Sequence, residues 1–277
     1  MTNTFTSLPP AQDPIAQSGP ALGDFFASLE GKSNHQLRGD YALASLDFGC
    51  EQAYENYTET DQKTWRYLFA EQSRLCKSTA CNSFLSSLEL LESDLNLSAG
   101  IPRFEQANEL LMQATGWQII AVPGLIPDEA FFNHLAQRRF PVTRWIRGEA
   151  ELNYIVEPDL FHDFFGHVPM LLDPAIADFL QRYGVAACNA SALKRTQLAA
   201  LYWYAIEYGL VKEDETIKAL GAGLLSSSTE LTHAITATHK HQSMNAVIAM
   251  NCAFQIDRFQ DSYFVMTSLR SIASVLD

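Results

Sequence analysis

A chain of 277 residues with 47% hydrophobic and 18% charged side chains can bury one large core or two smaller ones, which excludes fibrous and membrane-spanning classes. Its 19 Lys and Arg against 32 Asp and Glu give a formal net charge of −13, which leaves no basic surface for phosphate backbones and argues against nucleic acid as a partner. Cys50, Cys76, Cys81, Cys188 and Cys252 form no CxxC pair, the first 30 residues lack Lys, Arg and a signal-like apolar run, and no stretch nears the ~20 apolar residues of a membrane span, so a cytoplasmic, reducing setting is expected.

Residues 1–22 carry Pro9, Pro10, Pro14 and Pro20 among Ser, Thr, Gln and Ala, and read as a poorly ordered tail within an N-terminal extension over residues 1–50. Trp65, Leu68, Phe69, Gln72 and Cys76 recur at helical spacing; Cys81, Phe84, Leu85, Leu88 and Leu95 continue the pattern in a second helix. Ala107, Leu110, Leu111 and Ala114 place a third helix over 104–115. WQIIAV at 117–122 and PVTRWI at 141–146 read as strands flanking a helix around Phe131, Phe132 and Leu135. From Leu160 the pattern is helical almost to the end, in segments near 160–168, 174–183, 191–210 and 266–276, with breaks at Pro169, Pro174 and Gly184. No repeat or Gly/Ser linker divides residues 51–277, so the expected architecture is a single mainly α domain with a few short β-strands.

The stretch Glu157-Pro158-Asp159-Leu160-Phe161-His162-Asp163-Phe164-Phe165-Gly166-His167 sets two histidines five residues apart in an aromatic surround. In a regular α-helix that separation turns side chains about 140° apart, so a shared metal requires a helix end or a local distortion. Two buried histidines satisfied by backbone carbonyls are the alternative. Glu207 lies mid-segment in Leu201-Tyr202-Trp203-Tyr204-Ala205-Ile206-Glu207-Tyr208-Gly209, with no Lys or Arg within four residues on either side. A carboxylate there needs a cation, either a metal shared with the histidines or a distant Arg. Two imidazoles and one carboxylate form the facial triad of non-haem iron(II) oxygenases. A zinc hydrolase fits less well, because the spacing is HxxxxH rather than HExxH and the shorter Asp163 follows the first histidine.

Over about residues 55–270 the runs ATGWQIIAVPGLIP, RRFPVTRWIRG, EPDLFHDFFGH, LYWYAIEYGL and IKALGAGLLSSSTE, in this order, resemble the pterin-dependent aromatic amino acid hydroxylases, and among them the short bacterial phenylalanine 4-hydroxylases. The resemblance implies a single aromatic amino acid hydroxylase-like catalytic domain over residues 51–277. It also implies Fe(II), a tetrahydropterin and O2 as the requirements for hydroxylating free L-phenylalanine to L-tyrosine. By the same resemblance His162, His167 and Glu207 match the iron ligands. Gly124, Leu125, Ile126, Phe131, Asp163 and Tyr202 match the pterin site, with Asp163 standing where animal members have Glu. Arg147 matches the residue that grips the substrate carboxylate, and Pro158, Trp203 and Ser226 match positions that line the amino acid pocket or support the ligands.

Each residue also has a plainer reading. Trp203 and Phe131 could be ordinary core, and Arg147 half of a surface ion pair. Ile155, Leu220 and Asp163 depart from the animal pattern, which bears on affinities more than on chemistry. Within the resemblance, Trp203 stands where tryptophan hydroxylases carry Phe, and Ile256 where tyrosine hydroxylases carry Asp, so phenylalanine is the expected substrate. A tryptophan hydroxylase and a non-catalytic metal or amino acid binding protein on the same scaffold are the alternatives. The animal enzymes' regulatory domain and tetramerising helix have no counterpart here, so a monomer without phenylalanine activation is expected.

Overall fold

Thr58 opens the first long helix of the computed structural model, which describes residues 38–152, 155, 157–254 and 258–277. Its hydroxyl accepts from the Asp61 N–H while the Asp61 carboxylate accepts from the Thr58 N–H, a capping box that satisfies two donors left over at the helix start. Helix α1 (Glu59–Thr79) buries Trp65, Leu68, Phe69, Gln72 and Cys76, the stripe marked by their spacing. Helices α2 (Asn82–Leu95) and α3 (Phe104–Ala114) follow where expected.

Strands β1 (Gln118–Val122) and β2 (Arg139–Thr143) pair in parallel, Gln118 opposite Arg139 and Val122 opposite Thr143, with helix α4 (Asp128–Ala136) as the crossover. The second strand was expected over 141–146 and ends at Thr143 instead. The Arg144 N–H still donates to the Val122 carbonyl, but the Trp145 carbonyl accepts from the Leu160 N–H at 2.8 Å, which turns the chain toward the histidine segment.

Helix α5 (Pro174–Cys188) starts on Asp173, whose carboxylate accepts from the Ala175 and Ile176 N–H groups. Gly184, expected to break this helix, lies inside it. A Cβ there would sit 2.3 Å from the Ala136 nitrogen, so the glycine is required by the close crossing of α4 and α5.

Helix α6 (Ala192–Tyr202) runs on as a short π-helical turn to Glu207 and gives way to strand β3 (Leu210–Glu213), short of the helix expected to 210. Beyond it the all-helical expectation fails. Strands β3, β4 (Thr216–Ala219), β5 (His241–Ser243) and β6 (Tyr263–Met266) form a sheet in the order β4-β3-β6-β5. Only β3 and β4 are antiparallel. These strands are three or four residues long, too short to show a period of two. The β3–β4 turn uses Asp214 and Glu215 at φ 43° and 66°, so it lacks the Asn-Gly signature that announces such hairpins. Helices α7 (Ala222–Leu225), α8 (Ser228–Thr236) and α9 (Ala246–Asn251) intervene, and a 3-10 stretch, Leu269–Leu276, stands where an α-helix was expected.

The core centres on rings: Trp65 meets Phe161 and Phe164 edge-on at 5.4 and 5.8 Å, and Phe161 stacks on Phe165 at 4.9 Å. The histidine segment is therefore anchored on its apolar side by α1. Residues 38–50, read as part of an extension, are tied to this body: Cys50 N–H donates to the Ala121 carbonyl at 2.8 Å, and His134 Nε2 lies 2.7 Å from the Asp47 carbonyl. The tail over residues 1–22 and Ile256 lie outside the described residues. Among the described residues no helix is long and apolar enough to cross a membrane.

Gly184→Ala is expected to lower the unfolding free energy by about 1–3 kcal/mol, because α4 must move away from α5. Urea denaturation of the variant checks this, and an unchanged midpoint contradicts so tight a crossing.

Candidate metal centre

The two histidines bracket a π-helical turn, His162–His167. Hydrogen bonds that close on residue i+5 widen the turn, so residues five apart return to one face, where an α-helix would splay them. Local chemistry favours this winding. The Asp159 carboxylate accepts from the His162 N–H at 3.0 Å, and Pro169, which has no N–H, cannot continue an α ladder. Glu207 sits at the end of the second π-helical turn, Trp203–Glu207, which closes with Tyr208 N–H donating to the Trp203 carbonyl at 2.9 Å.

The two turns bring His162, His167 and Glu207 together, with their ligand atoms all within 4.8 Å of one another. His167 Nε2 lies 3.1 Å from Glu207 Oε1, and His162 Nε2 lies 3.6 Å from Glu207 Oε2. Both Glu207 ion pairs are with these histidines, so among the described residues the distant-Arg alternative has no partner. Ser226 Oγ donates to the Ala222 carbonyl at 2.8 Å and so accepts from His162 Nδ1, also at 2.8 Å, which leaves the lone pair on His162 Nε2 facing the carboxylate. The His167 ring lies against Phe140 at 4.7 Å. Burial pushes His162 down to about 4, so its imidazole is neutral. Burial opposes the charge on Glu207, yet the attraction and hydrogen bond of His167 outweigh it and hold the carboxyl below its ordinary value. Two imidazole nitrogens and one carboxylate brought together in this way are a donor set that fits iron(II).

Around the triad, the other anticipated residues fall into two groups. Arg147 is not half of a surface ion pair: it is 2% exposed, and its fork grips the fully buried Asp159 through Nε at 2.9 Å and Nη2 at 2.7 Å. Burial opposes ionisation of Asp159, but Arg147 prevails and lowers its pKa. Pro158 separates Asp159 from Glu157. Trp203 is half-buried, stacked on Phe254 at 4.6 Å and tilted on Tyr208 at 4.8 Å.

The second group follows β1. The loop Gly124–Ile126 is pinned at Leu125, whose carbonyl accepts from Tyr41 OH at 2.8 Å and whose N–H points to Glu157 Oε1 at 3.5 Å. A Cβ on Gly124 would come within 2.9 Å of that carboxylate oxygen, so a larger residue there would push the Glu157 side chain aside. Phe131 meets Phe140 and Tyr202 edge-on at 5.9 and 5.4 Å, which links this loop to the ring that lies against His167. Asp163 accepts from the Thr143 N–H at 2.7 Å and lies 3.9 Å from His162 Nε2; burial pushes it up to about 7. Tyr41, Glu157 and Asp159 were not singled out from the sequence. The last two lie inside the quoted motif, and their isolation from any nearby cation was the available signal.

Residues 29–277 match the sequence profile of the biopterin-dependent aromatic amino acid hydroxylases. The chain belongs to this family. It is 47% identical over 239 residues to the phenylalanine-4-hydroxylase of Mesorhizobium japonicum, covering 85% of each chain. Two crystal structures of Chromobacterium violaceum phenylalanine hydroxylase resemble this hydroxylase fold closely. One, with bound iron(III) and 7,8-dihydrobiopterin, is 41% identical at a TM-score of 0.78 and covers 83% of this chain and 84% of that one. The other, with bound iron and phenylalanine, is 42% identical at a TM-score of 0.77 and covers 83% of each. The iron and pterin requirement of the family thus meets a donor set in this chain that suits it.

Replacing His162, His167 or Glu207 by Ala is expected to abolish stoichiometric iron and turnover while the fold persists. Ser226→Ala, which frees the His162 ring, should weaken iron binding by roughly 10- to 100-fold. Metal analysis and circular dichroism of the four variants test the assignment, and full iron content in a triad variant refutes it. Asp159→Asn should cost about 3–5 kcal/mol of stability, because Arg147 stays charged and buried without its partner; thermal or urea unfolding reads the loss.

Proposed function

We infer that this protein is a phenylalanine 4-monooxygenase that hydroxylates the ring of free L-phenylalanine to L-tyrosine, using O2 and a tetrahydropterin at a non-haem iron(II) centre. The observation that carries the reading is the triad on two π-helical turns, with the Arg147–Asp159 pair tied to it through the His162 N–H. Relatives of more than 40% identity that hold iron with dihydrobiopterin or with phenylalanine support it.

His162, His167 and Glu207 would hold the metal from one side and leave its other face to reactants. Iron(II) with a reduced pterin supplies the activation of dioxygen. The protein's own share is placement and exclusion of water. Arg147, aimed in advance by Asp159, which takes up its Nε and Nη2, would turn its remaining Nη1 edge to the substrate carboxylate. Trp203 and Pro158 give an apolar wall to the benzene ring. The Gly124–Ile126 loop, held by Tyr41 and Glu157, presents backbone groups to the polar edge of the pterin, and Phe131 offers a ring for its flat face. We assign Asp163, next to His162, and Tyr202, edge-on to Phe131, to the pterin side of the site. Ser226 keeps His162 in the tautomer that can bind metal.

We read residues 51–277 as the catalytic domain, with residues 38–50 packed on it as an integral strap, and the protein as a cytoplasmic monomer. A tetramer by light scattering, or sigmoidal phenylalanine kinetics, contradicts the last point. Purified protein should convert phenylalanine to tyrosine only when iron(II) and a reduced pterin are both present. Its kcat/KM for phenylalanine should exceed those for tryptophan and tyrosine, and Trp203→Phe should raise tryptophan turnover relative to phenylalanine. Arg147→Met should raise the phenylalanine KM roughly 10- to 150-fold. It should also lower stability, since Asp159 is then unpaired. An unchanged KM refutes the role given to Arg147.

A further inference from the structure

We propose that Gln260 is a positioning residue for the aromatic pocket: it fixes the indole of Trp203 and, through it, the ring the site prefers. The proposal rests on the reading of Trp203 as a wall of the phenylalanine pocket.

Trp203 opens the π-helical turn that ends at Glu207, so its indole is built from the same turn as a metal ligand. The stacking contacts with Phe254 and Tyr208 restrain the tilt of the ring far more than its rotation or sliding within its own plane. In-plane orientation is instead set by a directional bond: Trp203 Nε1 donates to Gln260 Oε1 at 3.0 Å.

Gln260 is itself held from several directions. It is 2% exposed; its N–H donates to Glu230 Oε1 at 3.1 Å, and its carbonyl accepts from Lys240 Nζ at 2.9 Å. Glu230, 3% exposed, also accepts from Tyr263 OH at 2.7 Å. A side-chain amide can present either its oxygen or its nitrogen. The indole donor, and the Arg258 carbonyl that accepts from Gln260 Nε2 at 3.4 Å, select the orientation with oxygen toward Trp203. A buried acid and a lysine thus anchor the backbone of the one residue that aims the indole. The anchor comes from elements remote in sequence from both the histidine segment and Arg147.

Gln260→Met keeps the length of the side chain and removes the acceptor. It is expected to lower the ratio of kcat/KM for phenylalanine over tryptophan roughly 3- to 10-fold, mainly by raising the phenylalanine KM. In a Trp203→Phe background, where no indole N–H exists, Gln260→Met should leave the ratio unchanged. Glu230→Gln keeps an oxygen acceptor for the Gln260 N–H and should hold the ratio near wild type. Should Gln260→Met fail to fold, Gln260→Asn, too short to reach the indole, carries the same comparison. A merely structural role would reduce turnover of both substrates in proportion and equally in both backgrounds, and that result overturns the proposal. If Trp203→Phe shifts the ratio and the Gln260 variants do not, the proposal fails while the pocket reading stands. If Trp203→Phe itself leaves the ratio unchanged, the wall role of Trp203 fails and the proposal falls with it.

Discussion

A carboxylate enclosed by apolar helices has to be compensated, and the burial of Glu207 is the constraint around which the rest of this site is arranged. An unpaired carboxylate in such surroundings carries a desolvation cost that polar partners or a cation must offset. No Arg or Lys forms an ion pair with Glu207 among the described residues; its partners are the imidazoles of His162 and His167. Those two rings reach it because their segment winds as a π-helix, and Glu207 reaches them because its own helix widens in the same way. The rings of Phe161, Phe164 and Phe165, at the start of and within the first of these turns, form a cluster with Trp65 of α1.

The same reasoning applies to Asp159, whose single carboxylate serves two purposes. It receives the fork and the backbone N–H of Arg147, and it accepts from the His162 N–H at the start of the π-helical turn. The residue assigned to the substrate and the residue assigned to the metal are therefore fixed to one buried anion. A shift in either is felt by the other through a link of two hydrogen-bonded groups rather than through the bulk of the fold.

Residues 38–50 tie in the remaining side of the site. Tyr41 holds the Leu125 carbonyl, Arg38 pairs with Glu151 in a two-pronged contact, and the Arg38 N–H donates to the Glu157 carboxylate. Glu157, half-buried and pushed up by burial, thus joins this segment to the Gly124–Ile126 loop. The loop is shaped from outside the motifs that announce it.

The sequence by itself determined the residues of the metal centre, the helices α1 to α4 and the mainly α class, because these rest on local facts: a helical stripe of apolar residues, or an acid with no cation nearby. Even the oddity of a five-residue histidine spacing was legible as a demand for distorted helix. What only the tertiary structure decided is the pairing of parts distant along the chain. The four-stranded sheet is assembled from strands too short to show a period and joined by a turn without glycine, so nothing local records it. Gly184 reads as a helix breaker in sequence and becomes a contact point once α4 lies across it. Arg147 reads in sequence as a substrate contact or half of a surface ion pair, and folding brings the buried Asp159 to its fork. Gln260 has no chemical signature of its own: its orientation comes from an acid 30 residues away, a lysine 20 away and an indole 57 away, and directional bonds of that reach exist only after the chain has folded.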